Sequence, residues 1–103
     1  EELEAGDILF FDGSHLCFHD SDVTHVILRI LPLVARGVLV QIHDIYLPWD
    51  YPEHFDARHY NEQFMVAAFL LGNADWEALF PIHYLYEHGV VRHDGVSFWI
   101  RRR

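Results

Sequence analysis

Residues 7–15 read Asp7-Ile8-Leu9-Phe10-Phe11-Asp12-Gly13-Ser14-His15, four apolar positions in a row enclosed by aspartates and closed by a glycine–serine turn. A run that is apolar at every position, rather than at alternate ones, predicts a strand covered on both faces, as in a parallel sheet. Downstream, Ser21 or Asp22 supplies a helix cap, and Val23, Val26, Ile27, Ile30, Leu31 and Val34 recur at helical spacing until Gly37. Pro32 should kink or shorten the last turn of that helix. Gly37 leads into Val38-Leu39-Val40-Gln41-Ile42, a second buried strand that stops at His43-Asp44. Strand, helix and strand in this order make one βαβ unit with a right-handed crossover.

Beyond that unit the punctuation by Gly and Pro continues. The connection from Ile45 to Tyr60 holds Pro48, Pro52, Tyr46, Trp49, Tyr51 and Phe55 with no clear period, and structureless segments of such length commonly serve as lids or binding loops. Asn61 opens a helix running to about Leu71, with Phe64, Ala67, Ala68 and Leu71 on one face. Trp76 to Tyr84 reads as a third strand. The alternating Val96-Ser97-Phe98-Trp99-Ile100 reads as a fourth, entered from the His93-Asp94-Gly95 turn. Strands joined by so short a connection are antiparallel neighbours.

Composition narrows the function classes. The chain has 103 residues, 51% of them apolar and 16% aromatic, which is enough for one packed core and too greasy for a disordered acidic tail. With 7 Lys and Arg against 16 Asp and Glu, its net charge of −9 leaves no dense positive footprint for nucleic acid. Cys17 is the single cysteine, so neither an intrachain disulfide nor a thiolate zinc cluster can form, and a reducing, cytoplasmic setting is the expectation. The apolar runs fall far short of the roughly 20 residues a membrane span needs, so no membrane partner is expected.

The chemistry-bearing residues stand at strand ends. In open α/β sheets the carboxyl ends of neighbouring strands form the ligand crevice, so Asp12 and His15 after the first strand should converge with His43 and Asp44 after the second. Two carboxylates and two imidazoles close together suit a divalent cation. The ordinary alternative is that Asp12 caps N–H groups of its turn and His15 packs against the lid. Tyr46, Trp49 and Tyr51 either close over a sugar or aromatic acceptor or simply cover the end of the sheet. Asn61-Glu62-Gln63 reads as a helix cap with an acidic first turn.

The segments GDILFFDGSH, SDVTHVILRILPLVARGVLVQIHDIYLPWDYP and NEQF, followed by a terminal aromatic strand, resemble the C-terminal half of a class I S-adenosylmethionine-dependent methyltransferase domain, of the bacterial kind associated with glycan and natural-product pathways. The resemblance runs from about Gly6 to Arg102. It implies an α/β fold, a partial Rossmann-like sheet of the family's strands four to seven with flanking helices, in which the antiparallel last strand is inserted between strands five and six. It implies methyl transfer from S-adenosylmethionine to an oxygen or nitrogen of a small-molecule or glycan acceptor. It assigns Asp12, His43 and Asp44 to a divalent cation such as Mg or Mn, Asp12 and Gly13 to cofactor binding, and His15 and His43 to catalysis; by imidazole chemistry, His15 or His19 is the alternative general base in place of the cation. The family's glycine-rich donor turn has no counterpart here, so residues 1–103 are expected to be half of an enzyme, inactive alone. Strand Ile8 to Phe11, lacking the partner strand of the full domain, is expected to drive self-association. Two other functions compete: a non-catalytic methyltransferase relic acting as a scaffold, and a metal-binding hydrolase-like domain using Asp12, His15, His43 and Asp44.

Overall fold

The computed structural model describes residues 2–103, a small α/β domain with one four-stranded mixed sheet. Its strands are β1 (Ile8–Phe11), β2 (Leu39–Ile42), β3 (Trp76–Pro81) and β4 (Phe98–Arg102). They lie in the order β1-β2-β4-β3, with β1 parallel to β2 and β4 antiparallel to both of its neighbours. The last strand in sequence is therefore inserted, reversed, between the second and third, as expected.

The βαβ unit forms as its spacing predicts, but its helix is irregular. Ser21 caps α1 (Asp22–His25), its hydroxyl accepting from Thr24 N–H at 3.2 Å. The helix then widens into a π turn over Val26–Ile30 and tightens into a 3-10 turn over Leu31–Leu33. Pro32 supplies the cause: it has no N–H to donate, and its ring would strike the carbonyl four residues earlier in a regular helix. Val23, Ile27 and Leu31 nevertheless reach the core, because a wider turn displaces an apolar stripe without dispersing it.

The register shows which residues share a face. Leu9 and Phe11 pair with Val40 and Ile42, which in turn oppose Ile100 and Phe98. This face packs against Val23, Ile27 and Leu31 and against Val66 of α2 (Glu62–Leu70). The opposite face of β1 is bare: Ile8 is 54% and Phe10 61% exposed. The expectation that this strand is covered on both faces is thus corrected, since among the described residues no element packs over Ile8 and Phe10, and β1 is also an edge of the sheet.

Two further differences concern the second half. The third strand stops at Pro81, and Ile82–Glu87 form a short helix, α3, where the sequence predicts strand to Tyr84. Within the aromatic connection, Glu53–Arg58 form a 3-10 turn that buries Phe55. Among the described residues no helix is long and apolar enough to cross a membrane.

Candidate functional site

At the carboxyl end of β1, Gly13 lies tight against the side chains of Asp22 and Phe11. A Cβ on Gly13 would overlap Asp22 Oδ2 and lie 2.8 Å from the Phe11 ring. The close approach lets Asp22, at the start of α1, accept from Ser14 N–H at 2.7 Å, from the Ser14 hydroxyl and from Val23 N–H at 3.0 Å. Burial opposes ionisation of Asp22, but these bonds together hold its carboxyl below the usual carboxylate range. Gly13 and Ser14 thereby lock the β1 turn onto α1.

The locked turn projects His15 inward, where it is only 4% exposed. His15 and Asp44 both adopt left-handed backbone, with φ of 61° and 59°, a conformation that non-glycine residues rarely take outside turns and functional sites. His15 Nε2 lies 3.1 Å from Asp12 Oδ1 and 3.1 Å from Asp44 Oδ2. Its other nitrogen, Nδ1, lies 2.9 Å from Oε1 of the fully buried Glu62, and its ring leans on Tyr60 with centroids 4.6 Å apart. The convergence expected at the strand ends is therefore present for Asp12, His15 and Asp44. Their donor atoms all lie within 4.8 Å of one another, close enough for one ion, and two carboxylates with an imidazole suit Mg, Mn or Zn.

His43 is the residue that the resemblance assigns to the ligand set in place of His15. It sits beside the cluster, with Nδ1 at 3.4 Å from Asp44 and 4.0 Å from Asp12, and its side chain is 38% exposed. The donor atoms that lie mutually close are those of Asp12, His15 and Asp44, and His43 does not join them. His19 lies outside the site, 95% exposed and paired with Asp20.

The first residues of α2 hold the site together, a role the helix-cap reading missed. His15 O accepts from both Asn61 N–H and Glu62 N–H at 3.1 Å, so a backbone carbonyl serves the helix start. The three side chains are free to reach elsewhere, and each clamps a different piece. Asn61 brackets Cys17, accepting from its N–H and donating to its carbonyl. Glu62 binds the His15 ring. Gln63 accepts from Tyr46 N–H at 2.9 Å and donates to Trp49 O at 3.1 Å, fixing the aromatic connection.

That connection divides in two. Tyr46 and Tyr51 pack with the buried Phe55, and the Tyr51 hydroxyl accepts from Gln63 N–H at 3.0 Å. Burial pushes the Tyr51 phenol up to about 12, so it stays neutral. Burial, reinforced by Asp44, also raises the Tyr46 phenol. Trp49 faces outward, 40% exposed, against His83, Tyr84 and His88 of the α3 region. Of the three expected lid residues, Tyr46 and Tyr51 cover the sheet's end and Trp49 alone presents a large open surface.

Fold and site define a small α/β domain with an acidic, histidine-centred cluster at the carboxyl ends of two parallel strands. Compared with family models, with curated proteins and with solved structures, the chain matches none.

Proposed function

We propose that this chain is the acceptor side of a class I S-adenosylmethionine-dependent methyltransferase domain, and that Asp12, His15 and Asp44 hold a divalent cation that receives a hydroxyl group of a small-molecule or glycan acceptor. The observation that carries the cation site is the pair of 3.1 Å approaches to His15 Nε2. His15 Nε2 faces oxygens of Asp12 and Asp44 while Nδ1 faces Glu62 Oε1, and negative oxygens gathered this closely favour a positive charge at the cluster. A proton on the imidazole supplies that charge in one way, and a divalent ion held by all three side chains supplies it in another. The strand order β1-β2-β4-β3 with a reversed β4 supports the methyltransferase reading.

A cation held there would lower the pKa of a bound hydroxyl, preparing its oxygen for attack on an electrophilic methyl group. Asp12, His15 Nε2 and Asp44 would be occupied as the cation's ligands, so the proton of the bound hydroxyl would pass to solvent at the open rim beside Asp12. Trp49 offers a surface on which an apolar or sugar face can rest. None of the six glycines makes a G-x-G turn, so the residues present do not fit the methionine end of the donor, and no step involving the donor follows from them. The test is calorimetric binding of S-adenosylmethionine to the longest natural polypeptide that contains residues 1–103, together with radiolabel transfer to hydroxylated acceptors. Donor binding with cation-dependent transfer is expected; no donor binding removes the methyltransferase reading.

The bare apolar face and free edge of β1 support a second element of the proposal, association of residues 1–103 through Ile8–Phe11. Pairing two copies antiparallel about Leu9 sets Ile8 opposite Phe10 of the second copy and keeps Asp7 and Asp12 away from each other. Sedimentation should show dimers or larger species that Phe10→Lys disperses. A wild-type monomer at high concentration counts against it.

A further inference from the structure

Glu62 is the only carboxylate among the described residues that is fully buried. The N–H groups at the start of α2 are already served by His15 O, so the side chain is not needed as a cap. Its Oε2 has no hydrogen-bond partner, and its one side-chain partner is His15 Nδ1 at 2.9 Å. A buried carboxylate with a single partner is an expensive way to fill space, because a polar group taken from water without full compensation costs stability. A glutamine would fit the same volume, but its amide can either accept from the ring or donate to it. The Glu62 carboxyl offers the ring a single oxygen, Oε1, placed to accept from Nδ1.

We infer that Glu62 is a positioning residue for His15: it keeps the proton on Nδ1 and holds the ring so that Nε2 is the nitrogen presented to Asp12 and Asp44. Carboxylates behind metal-bound imidazoles act in this way, fixing the ring and strengthening it as a ligand. The inference rests on the cation site proposed above for its functional consequence, but not for the placement of the proton.

The experiment uses Mn2+ as probe and compares wild type, Glu62→Gln and Glu62→Leu. Nitrogen-edited spectra of the wild-type protein should show a slowly exchanging His15 Nδ1–H signal at low field. In Glu62→Gln that signal should move, and Mn2+ affinity should fall by about 10–100-fold, the usual effect of losing a residue behind a ligand. Glu62→Leu should lose the signal; if it does not fold, Glu62→Gln carries the decision. A wild-type protein without a protected Nδ1–H overturns the inference, as does a Glu62→Gln protein with unchanged signal and affinity. A protected signal that moves in Glu62→Gln, in a wild-type protein that binds no Mn2+, upholds the positioning role and rejects the cation reading.

Discussion

Asp44→Asn should weaken Mn2+ binding by at least about 100-fold, roughly 3 kcal/mol, while leaving the fold intact. Asparagine is the informative replacement because Asp44 sits at φ 59°, a left-handed conformation that Asn tolerates and Ala does not, so an Ala variant would mix strain with ligand loss. The substitution keeps the side-chain shape and removes one of the two charges facing His15 Nε2. Asp44 is the better shielded of those two carboxylates: its side chain is 18% exposed against 42% for Asp12. Its Coulombic contribution is therefore less screened, and Asp12→Asn should cost less than Asp44→Asn. His43→Asn is the control. Lying outside the group of mutually close donor atoms, it should change the affinity by less than about threefold, well below the effect of losing a ligand. Calorimetry on the three variants checks the order, and an Asp44→Asn protein that binds within about threefold of wild type would show that the cluster is not a cation site.

How much of this was legible in the sequence follows from how local each signal is. The β1 and β2 runs and the residues closing them, Asp12-Gly13-Ser14-His15 and His43-Asp44, are contiguous, and neighbouring parallel strands bring their ends together by topology alone. Convergence was therefore readable. Which imidazole joins the carboxylates was not, since it depends on Gly13 allowing the turn to collapse onto Asp22 and swing His15 inward. The coverage of β1 was misread because an all-apolar run states what a strand tolerates, not what packs on it. Helix α3 was missed because Ile82, Tyr84 and Tyr86 alternate with other residues, a strand-like pattern, while Pro81 ended the strand. The clamps formed by Asn61, Glu62 and Gln63 join residues 14 to 47 positions apart, and no local period reports such bonds.

Glu62→Gln should become progressively more stable than wild type as pH rises through the folded pKa of Glu62, even as it weakens cation binding. Burial is the main influence on Glu62 and raises its carboxyl above the usual range; the hydrogen bond from His15 pulls it back only in part, while Asp22 and Asp12 push it further up. A group that holds its proton more tightly folded than unfolded adds stability that is complete below its unfolded pKa and disappears as pH rises through the folded one. Above that point the wild-type chain carries a buried charge with one partner, whereas the neutral amide of the variant carries none. The two stability curves should thus lie close together in acid and separate as pH rises, with the variant ahead by about 1–3 kcal/mol, the ordinary cost of an incompletely paired buried group. For a chain of this length each kcal/mol is worth roughly 4–8 °C in melting temperature, so thermal unfolding across pH resolves the difference. Saturating Mn2+ should narrow or reverse the gap, since an ion that binds only the folded state stabilises more strongly the protein that binds it more tightly. Opposite signs for stability and affinity are what distinguish a carboxylate kept for the site from one kept for the fold: a Glu62→Gln protein less stable than wild type at every pH would mean that the pair with His15 holds the structure together instead.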